Sequence, residues 1–113
     1  MTALARLTEL DPIGANRLVD RVLRAFQTSA ARLKPQLDAA RQSVDRHVIR
    51  LVVHTLKSSS ASIGALALSQ VCAQIETAIR DDVTAELNSP LDALDIALDD
   101  ALLAIDTLLK ARA

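Results

Sequence analysis

The stretch Val48–Ala65, VIRLVVHTLKSSSASIGA, decides which fold this chain is expected to adopt. At about 100° per residue, an α-helix gathers the apolar and small residues of this stretch on one face, namely Ile49, Val52, Leu56, Ser59, Ser60 and Ile63. His54 lies on the opposite face, with Arg50 one turn before it and Lys57 one turn after it. The pattern predicts an amphipathic helix that packs on a core and presents an imidazole between two cations.

The side chains beside His54 suit an exposed and reactive imidazole. Ser58 and Ala61 are small and leave the ring accessible to a large partner, while Leu51 adds exposed apolar area next to it. A neutral imidazole is a nucleophile, and nearby cations both oppose its protonation and attract a phosphoryl group. The alternative interpretation is an ordinary solvent-exposed histidine among ordinary surface cations.

The composition predicts one all-helical domain over residues 1–113. Half of the residues are hydrophobic, mostly Leu and Ala, and the chain has two glycines, three prolines and a single aromatic residue, Phe26. The formal net charge of −1 gives no reason to expect nucleic acid or an anionic membrane as a partner. Cys72 is the one cysteine and shares the spacing of apolar residues, which predicts a buried structural thiol.

Prolines and acidic caps divide the first part of the chain. Asp11-Pro12 is typical of a helix start, with Asp as the N-cap and Pro at the first helical position. Pro35 then predicts a kink or break around Arg32–Lys34, followed by a second, shorter helix that ends at about Ser43.

Three further helices are predicted. Asp45 is expected to cap the helix that contains His54, and Gly64 is expected to end it. A helix from about Ala65 to Arg80 follows, with a core stripe of Leu68, Val71, Cys72, Ile75 and Ile79. Ser89-Pro90-Leu91-Asp92 predicts the start of the last helix, with Ser as the N-cap and Asp in the capping-box position.

These elements predict an antiparallel four-helix bundle with an additional short N-terminal or connecting helix. His47 and His54 are separated by about 10.5 Å along one helix, which is too far for a shared metal ion, so no metal site is expected. The sequence has no Ser-His-Asp arrangement and no Gly-rich phosphate loop, and therefore gives no support to a hydrolase or a nucleotide-binding enzyme.

The stretch from His54 to Ala65 resembles the signature of histidine phosphotransfer (HPt) domains, the four-helix-bundle carriers of multistep two-component phosphorelays. The matching features are the histidine, a lysine three residues later and a glycine ten residues later. The helix containing Leu68–Glu76 and the segment from Leu10 to Phe26 also resemble this family. The resemblance covers roughly residues 10–82, and the last helix fits as the closing member of the bundle.

The resemblance implies a role for each matching residue. His54 is expected to accept the phosphoryl group on Nε2, Lys57 to neutralise it, and Gly64 to close the helix. Glu76 matches a position that often binds the other ring nitrogen, which would fix the tautomer of the imidazole. A surface ion pair between Glu76 and Arg80, one turn later, is the equally open alternative.

One position departs from the family pattern. The family usually has glycine four residues after the histidine, whereas this chain has Ser58. A serine hydroxyl could donate a hydrogen bond to a phosphoryl oxygen, or it could slow transfer or narrow the choice of partner. Together with Arg50, Leu51 and Ala61, Ser58 is expected to contact the partner.

The resemblance implies receiver domains of response regulators, or of a hybrid sensor kinase, as partners that supply the metal ion and most of the catalysis. We expect a cytoplasmic monomer without a cofactor, since the sequence has no apolar signal segment and no run of membrane-spanning length. No autonomous kinase activity is expected, because the sequence has no ATP-binding motif. Two alternatives stay open: a helical adaptor that binds receivers without carrying phosphate, and the phosphoacceptor module of a larger histidine kinase. The initiating methionine favours a free-standing protein.

Overall fold

The computed structural model describes residues 18–82 and 84–112. Within these ranges the chain forms α-helices and no strand, and the helices are α1 (Leu18–Ser43), α2 (Arg46–Ser62), α3 (Leu66–Asp81) and α4 (Asn88–Arg112). The predicted all-α bundle is confirmed. The expected helix start at Asp11-Pro12, and any short N-terminal helix, lie outside the described residues.

The helices pack in a cyclic order around one apolar core. α1 packs on α2 and α4, and α3 also packs on α2 and α4, so α2 and α4 are diagonally opposite. All the helices contribute to the core, which includes Leu23, Phe26, Ile49, Leu56, Leu68, Ile75, Leu94, Leu98 and Ile105. Of the stripe predicted for α3, Leu68, Cys72, Ile75 and Ile79 are buried, and Val71 is partly buried. Each helix therefore buries one face and exposes the other, as amphipathic spacing requires.

Pro35 does not break α1, and the prediction of a separate short helix after it is wrong. The helix continues through Pro35 to Ser43. An internal proline removes one backbone hydrogen bond and costs about 3 kcal/mol. Buried side chains lie on both sides of it, namely Phe26, Ala30, Leu33, Leu37 and Ala40. Their burial, at about 1.5–3 kcal/mol for each large side chain, outweighs the local cost.

The predicted ends of α2 are confirmed. The backbone N–H of Val48 donates to the Asp45 carboxylate at 3.2 Å, which satisfies one of the free donors at the helix start. At the other end, Gly64 has a φ of 80°, and the next N–H, of Ala65, donates to the carbonyl of Ser60 at 2.8 Å. Glycine reaches this left-handed conformation without a steric cost, so α2 ends there.

The start of α4 differs from the prediction. The helix begins at Asn88, and the carboxylate of Glu86 accepts the backbone N–H groups of Asn88 and Ser89. Ser89 is therefore inside the helix rather than its N-cap. Asp92, which was expected to complete the capping box, accepts instead from Arg41 of α1 at 2.5 Å. The capping role of Glu86 was missed because it precedes the serine-proline pattern.

Ion pairs join α1 to α4 along one edge of the bundle. Lys34 donates to Asp95 at 3.0 Å, and Arg41 donates to Asp92 and to the carbonyl of Asn88. Such partly exposed pairs stabilise a fold by at most about 1 kcal/mol each, so they mainly fix the alignment of the two helices. In the described part of the chain, no helix has the length and apolarity that a membrane crossing needs.

Candidate functional site

His54 projects from the middle of α2 into solvent, with 61% of its side chain exposed. Arg50 and Leu51, one turn before it, are exposed as well, and so are Ser58 and Ala61 after it. The structure thus places the residues that were expected to contact a partner on one open face of α2. The core side of the same helix is filled by predicted residues, including Ile49, Val52 and Leu56.

Glu76 of α3 joins the two key residues of α2. Its Oε2 lies 2.7 Å from Nδ1 of His54, and its Oε1 accepts from Nζ of Lys57 at 2.5 Å. The Glu76 side chain is only 17% exposed. Arg80 donates to Asp81 instead, and the described residues show no Glu76–Arg80 ion pair. Of the two interpretations open from the sequence, the contact with His54 is the one present.

The packing of α3 on α2 explains how Glu76 reaches the imidazole. The turn at Gly64 reverses the chain, so that α3 runs back along α2. Ser60 is fully buried between core residues, and its hydroxyl donates to the carbonyl of Leu56, so its small polar side chain is satisfied. Ser69 of α3 donates to the carbonyl of Lys57 at 3.1 Å, which joins the two helices beside the site.

The hydrogen bond from Lys57 is the main reason that the pKa of Glu76 lies below its ordinary value, and the hydrogen bond from His54 lowers it further. Partial burial opposes both effects. Glu76 is therefore an ionised carboxylate at neutral pH, and an ionised carboxylate can only accept hydrogen bonds. The proton of a neutral His54 ring must then be on Nδ1. This tautomer leaves the lone pair of Nε2 free and directed to solvent.

The lowered pKa of Glu76 predicts a pH-dependent contribution to stability. An ionised Glu76 stabilises the fold above its ordinary pKa of 4.5, and this contribution is lost as the pH falls through the lower pKa of the folded state. We expect Glu76→Gln to lower the free energy of unfolding by about 1 kcal/mol at neutral pH. Urea unfolding across the acid range should show the difference from wild type shrinking below pH 4.5. A difference that stays constant with pH would contradict this linkage.

Other candidate reactive groups are inert or isolated. Cys72 is buried, as predicted, and burial raises the pKa of its thiol to about 12, which keeps it protonated and unreactive. His47 is exposed on α2. Across residues 18–82 and 84–112, no group of three or more His, Cys, Asp or Glu side chains could hold a metal ion.

Comparison with known proteins identifies the family. Residues 21–108 match the family model of the Hpt domain, and this span includes all of α2 and α3. Comparison with curated proteins gave no match, and comparison with solved structures gave none either. Since the matched residues make up well over half of the 113, the chain belongs to the Hpt domain family.

Proposed function

We propose that this chain is a histidine-containing phosphotransfer protein that relays a phosphoryl group between receiver-domain aspartates of a two-component phosphorelay. Hpt domains are phosphocarrier modules that interact with receiver domains, which gives the general class of function. The observation that supports the specific role is the exposed His54 ring, whose Nδ1 lies 2.7 Å from the Glu76 carboxylate. That arrangement presents Nε2 as a nucleophile to an incoming protein.

In the proposed reaction, Nε2 of His54 attacks the phosphorus of an aspartyl phosphate on the receiver. The new N–P bond forms as the P–O bond breaks, and the receiver's carboxylate leaves with the bonding electrons. The phosphorylated ring keeps its proton on Nδ1 and becomes cationic, and the anionic Glu76 stabilises that charge. Attack by an aspartate of a second receiver reverses these changes and returns His54 to its neutral form.

Lys57 is proposed to neutralise the phosphoryl group. Its Nζ is bound to Glu76 in the unphosphorylated protein, and the side chain is one-third exposed, so the ammonium can turn towards solvent. Lys57 also lies one turn after His54 on the same helix, which brings it within reach of a group on Nε2. An attraction of about 1–4 kcal/mol holds the phosphoryl group without cleaving it.

We propose a cytoplasmic monomer of one domain over residues 1–113, without cofactor or kinase activity of its own, which receives the phosphoryl group from response regulators or a hybrid sensor kinase. Gly64 has the structural role of ending α2.

The test is phosphoryl transfer from a panel of purified, phosphorylated receiver domains, followed on gels that retard phosphoproteins. We expect at least one receiver to label the chain with an acid-labile, base-stable phosphate, as a phosphohistidine requires. Binding of a receiver without labelling would contradict the carrier function and favour the adaptor alternative. In that case Ser58→Gly would test whether the serine prevents close approach of the receiver.

A further inference from the structure

The charges of this bundle are separated across its width. α2 has three cations and no carboxylate, while α4 has five aspartates and only two cations. Because these helices are diagonally opposite, their outer faces point to opposite sides of the bundle. In the described residues Glu76 offsets Lys57, and three of the aspartates of α4 are paired with Lys34, Arg41 and Lys110. The face that presents His54 stays electropositive through Arg50, and the far face stays electronegative through the exposed Asp99 and Asp100. Such an asymmetry orients an approaching charged protein before contact is made.

Arg50 is the cation of α2 that remains available to a partner. Arg46 donates to the backbone carbonyls of Asp82 and Ala85, and Lys57 donates to Glu76. Arg50 is exposed, and in the described part of the chain it forms no hydrogen bond or ion pair. It precedes His54 by one turn, or about 6 Å along the helix axis. A protein that covers His54 must therefore also cover Arg50.

Leu51 shares this position and completes the contact surface. Its side chain is 48% exposed, and it lies about 100° around the helix from Arg50, so that the two residues flank His54 on either side. Burial of Leu51 favours association with any apolar surface, whereas burial of an unpaired guanidinium opposes it. A partner that places a carboxylate opposite Arg50 avoids this penalty and gains a charge-assisted hydrogen bond. A partner without that carboxylate loses affinity, which discriminates between otherwise similar receivers.

We propose, on the basis of the proposed phosphocarrier function, that Arg50 determines receiver specificity. The receivers that this chain accepts have a surface carboxylate that faces Arg50, about one helical turn from the transferred group, and an apolar contact for Leu51. The electropositive face of α2 accelerates their association, and the aspartates of α4 disfavour docking on the wrong side.

The rate of transfer from an acidic receiver tests this proposal. Second-order rate constants of transfer are measured for wild type, Arg50→Glu and Lys110→Glu at about 50 mM and about 500 mM NaCl. Salt screens the long-range electrostatic attraction between the two proteins, so the comparison isolates its effect on the rate. We expect the higher salt concentration to slow transfer to the wild type at least tenfold. At low salt, transfer to Arg50→Glu should be about tenfold slower than transfer to the wild type, and its rate should change little with salt. Lys110→Glu makes the same charge change on α4 and should stay within about twofold of wild type.

A second variant tests specificity directly. Arg50→Met keeps a long side chain but needs no carboxylate opposite it. The rate of transfer from receivers without that carboxylate should therefore rise about tenfold relative to the rate from acidic receivers. The specificity role of Arg50 would be overturned by a wild-type rate that does not change with salt, or by equal rates for Arg50→Glu and Lys110→Glu. In either case His54 would still be labelled. No labelling of the wild type by any receiver, even at saturating concentration, would overturn the phosphocarrier function itself.

Discussion

Replacement of His54 by Gln is expected to abolish phosphoryl acceptance from every receiver. Glutamine keeps polar atoms near Glu76 but has no nucleophilic ring nitrogen, so no N–P bond can form. The side chain is 61% exposed, and loss of its hydrogen bond to Glu76 should lower the free energy of unfolding by about 1 kcal/mol or less. Transfer assays should show complete loss of label, while circular dichroism and urea unfolding show an intact bundle.

The second histidine of α2 provides a matched control. His47 is exposed on the same helix, two turns before His54, but has no hydrogen bond to a carboxylate in the described residues. We expect His47→Gln to be labelled at the wild-type rate. Residual labelling of His54→Gln, together with its loss in His47→Gln, would show that the acceptor has been assigned to the wrong ring.

Replacement of Lys57 by Met is expected to slow phosphoryl transfer by about tenfold to a hundredfold. The variant removes the cation that we propose neutralises the phosphoryl group, and one charge at about 4 Å contributes about 1–4 kcal/mol. Glu76 keeps its contact with Nδ1 of His54, so the ring should stay correctly oriented. Single-turnover transfer from a phosphorylated receiver at saturating concentration separates this effect from weaker binding.

Lys57→Arg is the control for this prediction. Arginine retains the positive charge and can still donate to Glu76, so it should restore most of the lost rate. A Lys57→Met variant as fast as wild type would show that Lys57 only stabilises the α2–α3 contact. The same conclusion would follow if Lys57→Arg were as slow as Lys57→Met while both variants unfolded at similar urea concentrations.

The sequence predicted α2 well because its determinants are local. Asp45 caps the helix from three residues away, and Gly64 ends it through its own backbone conformation. The 3.6-residue period assigned Ile49 and Leu56 to the core and His54 to solvent, as the structure has them. Val53 is fully buried at the edge of that face and was missed, because a simple angular division makes the buried stripe too narrow.

Predictions that depended on tertiary packing were less successful. Proline disfavours a helix locally, but the buried residues on either side of Pro35 hold α1 continuous. Asp92 fitted a capping box, yet it binds Arg41 of a helix that is distant in sequence. The paired cations Lys34 and Arg41, seven residues apart, could have suggested an acidic partner helix, although not which one.

The position of Glu76 shows the same limit within the site. It follows His54 by 22 residues, and spacing alone could not choose between the imidazole and Arg80. Only the antiparallel packing of α3 on α2 brings the carboxylate to Nδ1. The family resemblance indicated this contact, and the physical reason is the close approach of the two helices at the Gly64 turn.

The proposed phosphohistidine is tested most directly by locating the phosphorus on the protein. The chain, labelled with ¹⁵N and phosphorylated by a receiver, can be examined by ¹⁵N and ³¹P NMR spectroscopy. We expect phosphorus–nitrogen coupling at Nε2 of His54, with a proton on Nδ1 that is hydrogen-bonded to Glu76. Phosphorus on Nδ1 of His54 or on His47 would contradict this assignment of the acceptor nitrogen. The absence of phosphorus from every histidine, after exposure to every receiver that binds, would contradict the phosphocarrier function.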